Sequence, residues 1–358
     1  MMRYVSSPDF HHDTAERIGV LLVNSGTPKS AEPRDVRKFL ARMLSDPRIV
    51  EFPRALWMPI LYGLILPFRP RRSARKYRRI WSSAGSPLLD LSERLRAELS
   101  TTLAQRMLAP LSMELGMLYG EPTVPQALAR LRASGAQRIL TVPLFPQYCG
   151  STTGAVYDQV NAELRSWRWL PEMRFIAEFH DAPGYIDALR ASVAQHWEAH
   201  GRTDHLLMSF HGIPERYFHH GDPYFCKCQK TARLLADELL LRENEWSVSF
   251  QSRFGPSGWL KPYTSTVLEE MPARGVKAVT VVCPGFAVDC LETLEEIDME
   301  NRELFLHAGG QRFEYVPALN ARTEHARFLA DLIAQHCQGW THEELGRRPA
   351  GAARGASA

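Results

Sequence analysis

Ser209-Phe210-His211-Gly212-Ile213-Pro214 and Asp289-Cys290-Leu291-Glu292-Thr293-Leu294-Glu295-Glu296 both follow an apolar run. The runs, His205 to Phe210 and Val276 to Val282, read as buried strands. In open parallel α/β sheets, ligands bind beyond the carboxyl ends of the strands. The first stretch puts an imidazole there. The second puts carboxylates there, on what reads as a helix. A histidine opposite a stripe of acids can hold a divalent cation and also move protons.

Working outward, the same alternation fills the chain. Strands are predicted at Gly19 to Val23, Met113 to Tyr119, Arg138 to Leu144, Arg174 to Phe179, Ser247 to Ser252 and Glu314 to Pro317. Helices are predicted between them, for example Glu32 to Leu44, Pro87 to Met107 and Thr323 to Cys337. Leu22 to Pro28 (LVNSGTP) and Met208 to Pro214 (MSFHGIP) both run from a strand into x-Gly-x-Pro. Gln126 to Val142 and Thr266 to Val282 align at a constant offset of 140. The pattern predicts an α/β fold of two similar Rossmann-like halves, each a small parallel sheet flanked by helices, with a cleft between them. In this alignment His211 falls where the first half has Ser25, so the second half carries the site and the first half roofs it.

The expected organisation is a loose arm over 1–17, a first half over 18–170 and a second half over 171–318. A last helix over 319–340 would pack back on the first half, and 341–358 reads as a disordered tail. Within the first half, Ala55 to Pro67 (ALWMPILYGLILP) is almost wholly apolar and is interrupted by Pro59. Arg69, Arg71, Arg72, Arg75, Lys76, Arg78 and Arg79 follow. The segment around 52–68 reads as a hydrophobic lip with a basic hem, carried by bulky Trp57, Met58, Leu61 and Tyr62. A buried helical hairpin followed by a solvated helix is the alternative.

At 100° per residue, Asp289, Glu292, Glu296, Glu300 and Glu303 form one narrow stripe. Like charges four residues apart each cost roughly 0.2–0.5 kcal/mol, so the stripe calls for a cation or open water. His211 differs from the other histidines in following a buried strand; His219 and His220 sit in a polar turn. Cys226-Lys227-Cys228 lacks the second pair that a zinc site needs.

Composition excludes several classes. The 358 residues are 45% hydrophobic, and Lys+Arg 43 against Asp+Glu 40 leaves +3, so no global field draws nucleic acid. The six cysteines show no disulfide spacing, Met1 to Glu16 lacks the apolar core of a signal peptide, and no apolar run is long enough to span a bilayer. No G-x-G-x-x-G or Walker A motif follows a strand, so no nucleotide is expected. The expected place is the cytoplasm, with peripheral contact at the inner face of a membrane.

With Phe250 to Gly255 (FQSRFG), Cys283-Pro284-Gly285-Phe286, Pro146 to Gly154 and Pro317-Ala318-Leu319-Asn320 added to these motifs, the chain resembles ferrochelatase from about residue 18 to 337. The resemblance implies insertion of Fe²⁺ into protoporphyrin IX, the last step of haem synthesis. It implies His211 and Glu292 as the catalytic pair at the metal, with Asp289 close by, and Glu296 and Glu300 as an acidic track. It places Arg69, Tyr77 and Ser86 against the porphyrin, with Tyr148 as a further candidate for the cleft wall. Ser25 stands where many relatives carry a larger apolar residue. Iron is then a substrate and no cofactor is expected. Some members hold an iron–sulfur cluster on a C-terminal cysteine group, but Cys337 is alone in that region, so no cluster is expected. The alternatives are a coproporphyrin III ferrochelatase, another tetrapyrrole metal chelatase, a haem carrier without chemistry and, more distantly, a two-lobed solute-binding protein.

Overall fold

The computed structural model describes residues 4–5, 17–106, 111–255 and 258–340. Most of the expected arm and all of the expected tail lie outside the described residues. The first sheet contains β1 (Arg17–Asn24), β2 (Leu111–Met117), β3 (Ala136–Pro143) and β4 (Glu172–Phe175), in the order β2-β1-β3-β4. The second contains β5 (His205–His211), β6 (Trp246–Gln251), β7 (Ala278–Val282) and β8 (Arg312–Val316), in the order β6-β5-β7-β8. All pairings are parallel. Val20 to Val23 are wholly buried, as a central strand covered by helices on both faces requires.

The internal repeat holds at the level of register. Leu22 pairs with Val142 in the first sheet, and Met208, aligned with Leu22, pairs with Val282 in the second. The helix Val124–Ala133 starts with a capping box from Thr123 and Gln126, and Gly135 follows its end at φ +83°.

The halves share one apolar core. Leu95 and Leu99 of the helix Pro87–Ala104 belong to it with Leu329 and Ile333 of the helix Thr323–His336. These two helices pack on one another. Tyr185 crosses the same core, and its hydroxyl donates to the Pro284 carbonyl at 2.6 Å, beside the cleft.

Two segments depart from the expected α-helices. The acidic segment is a π-helix over Glu292–Asn301, continued by an α-helix over Arg302–His307. The apolar segment is not broken at Pro59. It runs as a helix Arg54–Ile60, a π turn Leu61–Ile65 and a helix Leu66–Ile80. Proline removes a main-chain donor, and the slip to i→i+5 pairing follows directly after it. Trp57 and Leu61 are buried rather than displayed, and the Trp57 indole donates to the Leu44 carbonyl at 2.7 Å. The exposed face is instead Leu56, Ile60, Tyr62, Leu64 and Phe68, with Leu64 and Phe68 at 64% and 74%. Among the described residues, no helix is long and apolar enough to cross a membrane.

Candidate active site

A cleft of about 1600 Å³, counted out to open solvent, lies between the halves. His211 lines it from the end of β5, and Glu292 lines it from the start of the π-helix. The His211 Nδ1 lies 2.6 Å from the Gly212 carbonyl. A carbonyl only accepts, so Nδ1 carries the hydrogen and Nε2 keeps its lone pair for a proton or a metal. The backbone turns closely here: a Cβ on Gly212 would sit 2.8 Å from the Gln251 carbonyl oxygen. The Phe286 ring stands 6.4 Å from the imidazole, centre to centre.

Gln251, at the end of β6, joins the two walls. Its Oε1 accepts from Ser209 Oγ at 2.7 Å, and its Nε2 donates to the Glu292 carbonyl at 2.8 Å. Ser252 follows at φ +65°, a left-handed conformation uncommon for serine. Its N–H donates to Glu296 at 2.7 Å, and its hydroxyl donates to the other Glu296 oxygen. Burial raises the Glu296 carboxyl above its usual range, against the Ser252 hydrogen bonds and the nearby His211, and the Glu292 charge adds to the rise.

The five acids do not share one stripe: Asp289 precedes the helix and Glu303 turns to Arg79, while Glu292, Glu296 and Glu300 follow one another at four-residue spacing. Glu292 faces the cleft. Glu296 and Glu300 line a separate polar cavity with Ser252, Arg253 and Asn301. Glu295 and Glu300 share Lys76, and Glu295 and Glu303 share Arg79. Asp289 is buried and is not part of the cleft lining, although its neighbours Val288 and Cys290 are. Its carboxylate accepts from Thr293 Oγ1, the Tyr315 hydroxyl, the Ala318 N–H and Asn320 Nδ2. A buried carboxylate needs such donors, and here they come from the π-helix, from β8 and from the segment after it.

Of the residues expected against the porphyrin, Ser25, Arg69, Tyr77 and Ser86 all line the cleft. Burial raises the Tyr77 hydroxyl, and the nearby Glu292 and Cys290 add to it. The Arg69 guanidinium stacks on Phe254 at 4.1 Å, and its Nη1 is buried without a hydrogen-bond partner. Burial lowers its pKa, opposed by Tyr77 and Glu292. Tyr148 is not in the lining; its ring lies under the Lys227 ammonium at 5.3 Å, while its neighbours Gln147 and Cys149 face the cleft. The sequence reading missed Trp259, which lines the cleft with its Nε1 buried and without a partner. It also gave no role to Gln251 and Ser252, although the Phe250 to Gly255 motif contains both. Among the described residues, no group of three or more His, Cys, Asp or Glu is arranged to hold a metal ion.

Comparison with known proteins agrees with this architecture. The family model for ferrochelatase matches residues 17–337. Ferrochelatase of Nitrosococcus oceani is 52% identical over 345 residues, covering 96% of this chain and 94% of its own. Ferrochelatase of Thioalkalivibrio sulfidiphilus is 50% identical over the same length and the same shares. Among solved structures, SirB from Bacillus subtilis with Fe³⁺ superposes with a TM-score of 0.53 over 91% of this chain and 97% of that one. At 11% identity it speaks for the fold alone. Paired parallel sheets, an apolar cleft between them and a family match over nearly all the described residues lead to one assignment: this chain belongs to the ferrochelatase family.

Proposed function

We propose that the protein inserts Fe²⁺ into protoporphyrin IX to give protohaem, with His211 and Glu292 at the metal. The observation that carries this reading is the cleft itself. It is walled by Tyr77, Leu118, Ile213 and Phe286, and holds a bare imidazole nitrogen and a carboxylate. Insertion forms four nitrogen–iron bonds and releases two N–H protons, so the porphyrin dianion replaces the metal's water. His211 Nε2 takes one proton, and Glu292 holds the incoming metal or takes the second. Walls that bend the macrocycle expose its nitrogen lone pairs, using binding energy from its periphery. Arg69 Nη1 and Trp259 Nε1 are the unpaired donors that suit a carboxylate on that periphery. Glu296 and Glu300, in the polar cavity behind Glu292, relay metal or protons. A nitrogen–oxygen pair also binds Zn²⁺ well, so zinc serves as an alternative substrate in vitro.

The exposed Leu56, Tyr62, Leu64 and Phe68, bordered by exposed Arg71, Arg72 and Arg75, suit contact with an anionic membrane surface. The enzyme would then work in the cytoplasm and exchange its apolar substrate and product at the membrane. The test is anaerobic incubation with Fe²⁺ and protoporphyrin IX, run beside coproporphyrin III, following the porphyrin spectrum. Protohaem formation that is lost in His211→Ala and in Glu292→Gln, with porphyrin binding kept, is expected. Faster turnover of coproporphyrin III overturns the substrate, and haem binding with no insertion overturns the enzyme.

A further inference from the structure

Glu295 is the one fully buried acid of the π-helix, with its side chain 1% exposed. Its two oxygens are divided between two cations of the helix Leu66–Ile80. Lys76 Nζ lies 3.0 Å from Oε2, and Arg79 Nη1 lies 2.8 Å from Oε1. Lys76 also reaches Glu300 at 2.6 Å, and Arg79 reaches Glu303 at 3.5 Å. The cations belong to the first half and the acids to the second. The helix Leu66–Ile80 also sends Arg69, Ser73 and Tyr77 into the cleft, and the π-helix sends Glu292. The ion pairs therefore join the wall that meets the porphyrin to the helix that meets the metal. Glu295 itself lies in neither the cleft nor the polar cavity. The chain just before the lip is tied to the second half too. Arg216 Nη2 donates to the Glu51 carbonyl at 2.8 Å, and the Tyr217 hydroxyl donates to that of Ile49 at 3.2 Å.

We propose that Glu295 is a positioning residue: clamped by Lys76 and Arg79, it fixes the π-helix against the porphyrin-side wall and so sets where Glu292 meets the macrocycle. This rests on the proposed function. Its carboxylate is buried because both oxygens are paired, and removing either cation would leave charge uncompensated. With the clamp gone, the π-helix can move relative to Tyr77 and Arg69, and a shift of about 1 Å at a reacting centre can cost on the order of a hundredfold in rate.

The test uses the full chain as wild type, Glu295→Gln, Lys76→Met and Lys76→Arg. Fluorescence quenching gives porphyrin Kd, and steady-state insertion gives kcat and the KM for Fe²⁺. In Glu295→Gln and Lys76→Met, kcat/KM for the metal should fall at least about tenfold while porphyrin Kd stays within about twofold. Lys76→Arg, which can still pair, should restore most of the loss. If Glu295→Gln does not fold, the two variants at partly exposed Lys76 decide. Near wild-type kinetics in Lys76→Met, equal losses in Lys76→Met and Lys76→Arg, or porphyrin affinity falling in step with insertion overturns the clamp. An inactive wild type overturns the proposed function instead.

Discussion

The side-chain amide of Gln251 donates to the main-chain carbonyl of Glu292 at 2.8 Å. Through Ser209, the same side chain is bonded to the strand that ends in His211. One glutamine thus joins the strand behind the imidazole to the backbone behind the carboxylate.

Gln251→Ala should therefore damage geometry more than binding. Leaving the part-buried Glu292 carbonyl without its donor costs about 1 kcal/mol. Calorimetry should show a midpoint lowered by a few degrees. Metal insertion should fall severalfold while porphyrin still quenches normally. An unchanged insertion rate would remove Gln251 from any positioning role.

Asp289 should behave as a structural acid. Asn in its place turns one acceptor oxygen into a donor facing donors from Thr293, Tyr315, Asn320 and Ala318. The expected loss is about 1–3 kcal/mol of stability. The metal KM of the folded fraction should stay close to wild type. A large rise in metal KM with no change in thermal midpoint would return Asp289 to the metal site.

His325 should make stability depend on mild acid. It is wholly buried, its Nδ1–H donates to the Asn320 carbonyl at 2.7 Å, and burial lowers its pKa to about 4. The unfolded chain takes up this proton near the ordinary value of about 6.5, and the native protein only near 4. The unfolded state therefore binds more protons between those values. The native state keeps its full advantage above pH 6.5 and loses it as pH falls toward 4, by about 3 kcal/mol in all. His325→Gln should flatten the fall in thermal midpoint between pH 6.5 and 5. Parallel curves for variant and wild type would contradict this.

The exposed lip face should govern membrane partition. Burying one Leu or Phe side chain contributes about 1.5–3 kcal/mol, so Leu64→Glu with Phe68→Glu should weaken sedimentation with anionic vesicles by more than about tenfold. Turnover of detergent-dispersed porphyrin should barely change. Equal co-sedimentation of the two proteins would refute lip contact.

Much of this was legible in the sequence, because buried strands and repeated spacing are local signals. The constant offset between Thr266 to Val282 and Gln126 to Val142 reappears as matching register in the two sheets. His211 was legible because an apolar strand points at it. The acids were less so. Sorting them at 100° per residue assumes α geometry, and nothing local in Glu292 to Asn301 declares i→i+5 pairing. The partners that separate Asp289, Glu295 and Glu296 lie on Asn320, Lys76 and Ser252, remote in the chain. Tyr148 was misplaced by one position, where adjacent residues face opposite ways. The lip was visible as an apolar run, but which side it buries depends on packing against Leu44 and its neighbours.

The π-helix links the charge pairing of this site to its chain length as well as to its composition. Lys76 reaches both Glu295 and Glu300, five residues apart. On an α-helix those two acids would point about 140° apart, beyond one ammonium group. Deleting a single residue between them would restore ordinary helical pairing with every charge still present. The two acids, then four apart, would still share one face and one lysine. A frame-preserving loss of one codon there should thus spare the clamp, whereas α pairing at the present length would pull it apart.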